Sequence, residues 1–361
     1  GKSLNTMLAS SEKVYAKAPA ERDKADKAII KVDERVNICY GLFTGRFLKI
    51  FPVKDSTIDK WLSPEEASKH TQNTEDSAFL TNVMGVYFQE LQQAKKSGDF
   101  SQSEEILDGI KRYQRSHAQY ELPSKSKIEL EVMYYRLNIF KKLFPFYATV
   151  GLIFLFILVG SIISGKNLNP WINRSFLILI LLGFILHTAG LGIRWYIAGH
   201  APMSNGYESM IFVSWVTILA GFIFNRYSPM ALSATAILGG FTLMVANLSF
   251  MDPQITNLVP VLKSYCVTLH VRVITGSYGF LGLGAILGII NLVLFMLQSK
   301  KNQLRINETI ERLTVINHKT LILGVTLLTI GTFLGAVWAN ESWGRYWGWD
   351  PKETWSLITI I

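Results

Sequence analysis

Cysteine is nearly absent. Cys39 and Cys266 are the only two in 361 residues. They form no CxxC pair and no metal-ligand spacing, which excludes a zinc module or a disulfide-stapled scaffold as the organising principle. Alternating strand patterns of any length are also missing, which excludes a β-rich fold and points to an all-α chain. Acidic residues thin out sharply along the chain: residues 1–142 hold 20 Asp/Glu and 23 Lys/Arg, whereas 143–361 hold 7 and 13. The net charge of +9 comes with no basic stripe interleaved with aromatics, so nucleic acid is not an expected partner. The chain starts at Gly1 without a signal peptide and stops at Ile361 inside an apolar run. Both ends suggest a segment of a longer polypeptide.

What is present divides in two. Residues 1–142 read as a mostly helical soluble domain. Ser63-Pro64-Glu65-Glu66 carries an N-cap, a proline at the first helical position and a Glu at the third. A helix over Asp99–Tyr120, entered through Ser101 or Ser103, places Ile106, Ile110 and Tyr113 near one face. Pro123 is a break, and a further helix from about Lys127 leads towards the apolar part.

Residues 143–361 read as a polytopic transmembrane bundle. Six full spans are expected, near 144–164, 175–195, 207–225, 229–249, 273–298 and 319–339, with a seventh starting near 351; each approaches the roughly 20 residues a bilayer requires. Lys166, Arg174, Arg226 and the group Lys300, Lys301, Arg305, Arg312 and Lys319 fall in connections on one side, which the charge rule makes cytoplasmic. Arg194, Lys263, Arg272, Arg345 and Lys352 lie on the other side and dilute that rule. The outer side then receives the soluble domain, the loops 196–206 and 250–272, and a segment dense in tryptophan.

That segment, WGRYWGWDPKETW, follows Trp338 and carries Trp343, Trp347, Trp349 and Trp355. An interfacial aromatic belt would explain one or two of these rings. Asp350, Pro351 and Glu353 read as the N-cap, first and third positions of the seventh span rather than as a catalytic acid pair. Gly344 and Gly348 allow a sharp turn or a close approach to a ligand. Rings spaced by glycine outside the membrane suggest a platform for a large flat apolar ligand. Haem is such a ligand, and its iron takes an axial histidine. Among the six histidines, His70 and His117 read as solvated, His318 borders the cytoplasmic cluster and His187 lies inside a span. His200 and His270 both lie outside, and position alone gives them comparable claims.

The string WGRYWGWDPKETWSLIT resembles the tryptophan-rich WWD motif of the haem-handling protein family. GHAPMSNGYESM and the LHV before a span resemble the CcsA part of the System II cytochrome c synthases. The soluble domain entering the first span as YYRLNIFKKLFPFYA resembles the tail of a CcsB portion fused ahead of it, as in CcsBA synthases, with the CcsA-like part over 143–361. The likeness is strong over about 185–361 and weaker before. It implies haem b as substrate and His270 as an external axial ligand. It implies that Trp338, Trp343, Trp347, Trp349, Asp350 and Trp355 belong to the segment cradling the haem. A second external histidine and intramembrane histidines, which the family also uses, have no matching positions here, and His187 and His200 are not ligands in that scheme. Arg272 and Arg345 are candidates for the haem propionates by charge, or ordinary interfacial arginines.

The implied reaction is thioether formation between the haem vinyls and the thiols of a CxxCH motif in apocytochrome c, in a bacterial inner membrane with the tryptophan segment on the periplasmic side. Thiol-reducing proteins, a CcsB-like region of the same or another chain, and membrane lipid are the further expected partners. A haem exporter or carrier without ligation activity is the alternative. A quinone or cytochrome-type electron carrier ranks last, since only His187 lies well within a span.

Overall fold

A computed structural model describes residues 14–18, 21–52, 61–71, 73–118, 122–256 and 264–361; the expectation for Lys263 and part of that for the loop 250–272 lie outside them. The chain forms two compact units, Gly1–Ser124 and Lys125–Ile361.

In the first unit, α1 (Lys24–Phe43) is opened by a capping box in which Asp23 and Asp26 each accept the other's backbone N–H. The strands β1 (Phe51–Pro52) and β2 (Trp61–Leu62) form a short antiparallel pair with Phe51 opposite Leu62. Two residues are too few to show alternation, so sequence reading passes over them. Helices α2 (Pro64–His70), α3 (Thr74–Ser97) and α4 (Ser101–His117) follow. The expected Ser63/Glu66 capping box is present. The expected cap of α4 is not: Phe100 occupies the N-cap position and no side chain caps it. Phe51, Ala67, Leu80, Val83, Ile110 and Tyr113 form the core, with Ile106 packed against it. His117 is not simply solvated; it stacks on Tyr113 at 4.1 Å between centroids and reaches Asp76 at 3.3 Å.

The second unit is a helical bundle. Its first helix, α5 (Lys125–Leu137), is separated from α6 (Ile139–Ser164) by Asn138 in the left-handed region at φ 46°, a conformation Asn tolerates better than most residues. There follow α7 (Pro170–Ala198), α8 (Gly206–Asn225), α9 (Pro229–Ala246), α10 (Tyr265–Met296), α11 (Gln303–Trp343) and α12 (Pro351–Ile360). Among the described residues, six helices are long and apolar enough to cross a membrane, α5 and α6 together counting as one. The protein is therefore an all-α, multi-pass helical bundle.

Helices meet where side chains are small, since lipid offers no hydrophobic incentive to pack and close backbone approach must supply the contact. Ser233 Oγ of α9 donates to the Gly151 carbonyl of α6 at 3.0 Å, and Ser214 Oγ of α8 to the Gly239 carbonyl of α9 at 2.9 Å. The most extensive pairing is α10 against α11. These two helices are longer than expected. His270 lies inside α10 rather than in a preceding loop, and the basic residues from Arg305 to Lys319 lie on α11 rather than in a connection.

Arg194 is one of the five cations that dilute the charge rule. It is fully buried, and its Nε donates to Glu208 Oε1 at 2.7 Å. Its Nη1 and Nη2 donate to the carbonyls of Pro253 and Gln254 at 2.8 and 2.9 Å. A charge paired and hydrogen-bonded in this way behaves as part of the core.

Candidate functional site

The long helix α11 ends at Trp343, where Gly344 takes φ 70° and its N–H closes the helix onto the Asn340 carbonyl at 2.9 Å. The chain then re-enters a helix at Pro351. Asp350 caps α12 by accepting the Glu353 N–H at 2.8 Å. The Glu353 carboxylate reaches back to the N–H of Gly348 at 2.7 Å and of Asp350 at 3.3 Å. The acid pair thus holds the turn together, as its sequence pattern indicates. Trp349 stands just before the cap at φ 56°, a left-handed backbone that is an outlier for so bulky a residue.

Under this turn lies a cavity of about 640 Å³ between α10, α11 and α12, within the roughly 300–1,000 Å³ typical of small-molecule sites. His270, Trp338, Trp343, Trp347, Asp350 and Trp355 line it. Two edge-to-face pairs stiffen the aromatic wall, Trp338 with Trp343 at 4.7 Å and Trp347 with Trp349 at 5.9 Å. The indole N–H groups of Trp338 and Trp347 are shut off from solvent and have no hydrogen-bond partner among the described residues.

His270 is oriented by the facing helix. Its Nδ1 lies 2.7 Å from the Gly331 carbonyl of α11. A carbonyl can only accept, so Nδ1 carries the proton and donates, which leaves the Nε2 lone pair unengaged. Backbone-carbonyl support of this kind fixes the tautomer and ring plane of metal-binding histidines. The ring packs on Gly335, where an added Cβ would come within 2.7 Å of Nδ1. Glycine there is a steric requirement of the histidine's position.

Residues 203–361 match the Cytochrome C assembly protein family. Protein NrfI of Wolinella succinogenes is 42% identical over 352 residues, covering 97% of this chain and 38% of that protein. The cytochrome c biogenesis protein CcsA of Guillardia theta is 39% identical over 204 residues, half of this chain and 67% of that protein. CcsA of Prochlorococcus marinus (strain AS9601) is 32% identical over 255 residues, 62% of this chain and 82% of that protein. The chain belongs to the CcsA family of cytochrome c biogenesis proteins. It spans 38% of the length of NrfI, a match that runs through both compact units, whereas the CcsA matches take in 50% and 62% of the chain.

Within this CcsA-type bundle, the residues expected at the site separate into two groups. His270 and five members of the tryptophan segment share the cavity; Trp349, Arg272 and Arg345 do not line it. Arg272 stands over the Trp195 ring of α7 at 5.5 Å, and Arg345 packs on Gly348. His200 has its two ring nitrogens against the carbonyls of Ala201 and Thr256 at 3.1 and 3.3 Å and lies apart from the cavity. Geometry therefore separates two histidines that position alone leaves equal.

Sequence reading misses Tyr278, Thr332, Tyr346 and Lys352, which also line the cavity. Tyr278 sits about two helical turns after His270, on the same face, and that spacing is the available signal.

Proposed function

We propose that this cavity receives haem b as a substrate and presents it for covalent attachment to apocytochrome c. The observation that carries this reading is His270 with Nδ1 committed to Gly331 and Nε2 free, set in a wall of tryptophans. The donor set suits the group. A neutral imidazole nitrogen ligates haem iron, and flat rings pack on the macrocycle.

In the attachment step each thiol of a CxxCH motif adds across one vinyl group. The S–H bond breaks, a C–S bond forms at one vinyl carbon, and the other vinyl carbon gains the hydrogen. No net oxidant or reductant is consumed, but the two thiols must arrive reduced, which calls for thiol-reducing partners. This chain's residues bind, orient and shield the haem, and positioning of well-aligned reactants is worth roughly 7–11 kcal/mol. Arg345 and Arg272, outside the cavity wall, are less well placed for the propionates than Lys352, which lines it.

We place the site at the outer face of a bacterial inner membrane, with residues 1–142 on the same side, on the distribution of Lys/Arg between connections; a CcsB-like region as partner follows from the family resemblance. The test is an absorption spectrum of the full-length protein, wild type against His270→Ala, alongside cytochrome c maturation in cells. Loss of both the Soret band and maturation supports the assignment. Retained haem with normal maturation refutes the ligand role. Loss of maturation with haem still exported points to a carrier that does not ligate.

A further inference from the structure

We propose that the end of the bundle opposite the tryptophan segment carries a binding site for the headgroup of an anionic phospholipid. At about 1.5 Å per residue, the 41 residues of α11 put the two ends about 60 Å apart. A second cavity, of about 390 Å³, lies between the C-terminal end of α6 and the first turns of α11. Ser161, Lys166, Asn167, Arg305, Glu308 and Arg312 contribute to its lining. Three cations face one carboxylate, and that carboxylate is already committed, because Glu308 pairs with Arg312 along the helix. Lys166 and Arg305 have no carboxylate partner among the described residues.

The site is built rather than merely charged. Gly165 ends α6 at φ 70°, and Ser161 Oγ donates to the Lys166 carbonyl at 2.7 Å, folding the link back over the helix end. A Cβ at Gly165 would stand 4.0 Å from Arg305 Nη1, so the guanidinium lies against this turn.

Its surroundings favour a lipid over a free anion. The apolar run of α6 stops at Ile162–Ile163, immediately before the cavity, and Ile163 and Leu304 are exposed beside the cations. Trp171, exposed with Arg174 over its ring at 5.1 Å, is the kind of anchor found at headgroup level. Basic pockets between spanning helices at that level bind anionic headgroups, and Arg and Lys together provide charge-assisted donors to a phosphodiester.

The experiment measures phospholipid retention by the detergent-purified full-length protein, using native mass spectrometry with phosphatidylglycerol, phosphatidylcholine and inorganic phosphate as probes. Phosphatidylglycerol should be retained over phosphatidylcholine. K166Q/R305Q should weaken that retention by about 30-fold, the effect of two basic residues. E308Q should strengthen it, and K300Q/K301Q, on neighbouring residues outside the cavity, should leave it unchanged. An unaffected K166Q/R305Q protein, or an equal loss in K300Q/K301Q, would overturn the proposal, as would displacement of the lipid by millimolar phosphate. A photoactivatable phosphatidylglycerol should label 161–168 and 303–312 of the unmutated protein; labelling confined to other segments would also overturn it.

Discussion

His187 and His270 occupy the same bundle and make the same kind of bond, yet they are opposite objects. His187 on α7 puts Nε2 3.0 Å from the Ile211 carbonyl of α8, so its Nδ1 is left as the acceptor. That nitrogen is sealed in without a partner among the described residues, beside Phe140 and Tyr147, and the residue is fully buried. His270 reverses the arrangement: Nδ1 is tied to a backbone carbonyl and Nε2 is free, in a residue that lines a cavity. The lesson is that a histidine in a spanning helix is read by which nitrogen the scaffold takes and by whether the other has space before it. An imidazole walled in by aromatics has room for no ligand; one with a cavity on its free side does.

The largest expected effects would break this comparison if they fell on the wrong residue. His270→Ala should abolish the Soret band of the purified protein, while His187→Ala should leave it and lower the melting temperature. A buried large-to-small change of this type costs about 2–4 kcal/mol. His187→Phe, which keeps a ring and removes the sealed nitrogen but also gives up the bond to the Ile211 carbonyl, should cost less than the alanine change and leave the Soret band. Loss of haem in the phenylalanine variant would make His187 part of haem handling after all.

The glycines beneath the two sites sharpen the contrast. Gly335 supports the His270 ring, whereas an added Cβ at Gly183 would meet Phe146 at 2.7 Å and Tyr147 at 2.9 Å. Gly335→Ala should weaken haem binding roughly 10–100-fold, as loss of ligand support does elsewhere. Gly183→Ala should reduce only thermal stability; titration of both variants with haem checks this.

A smaller effect is expected at Asp350, whose side chain caps α12. Asp350→Ala should cost about 1 kcal/mol, seen as faster hydrogen exchange over 351–356. Asp350→Ser should restore slow exchange, and a haem defect that persisted in the serine variant would give the carboxylate a role beyond the cap.

The smallest effect distinguishes acid sensitivity of the first unit from that of the bundle. Hydrogen bonds from the Ser63 hydroxyl and backbone hold the Glu66 carboxyl below its ordinary value. A depressed carboxylate contributes stability above its unfolded value and loses it as pH falls through the folded one. Protection of α2 should therefore fall on acidification, and Glu66→Gln should flatten that dependence.

Much of this architecture is legible in the sequence. The spans are visible because each is a long apolar run with few charges, and the α2 and α12 starts because capping boxes are local chemistry. The likeness of GHAPMSNGYESM and LHV to CcsA implies His270 as a ligand without any knowledge of its contacts. The tautomer of His270 is not legible, since it depends on a carbonyl 61 residues away. Nor is the Arg194–Glu208 pair, whose arginine counts as a loop charge until two helices and a loop are seen to converge on it. The β1–β2 pair is too short to leave a pattern. Charge alone does not indicate what Arg272 and Arg345 touch, which is the Trp195 ring for one and Gly348 for the other.

Trp349 carries a consequence for anyone who would engineer this bundle. Its left-handed backbone costs about 1–2 kcal/mol that glycine would not incur. A selection for heat resistance alone would therefore drift towards glycine or asparagine in its place and discard the ring that braces Trp347. On the proposed function, thermostability and haem presentation compete at this position, and a library scored on both traits should show them trading off there first.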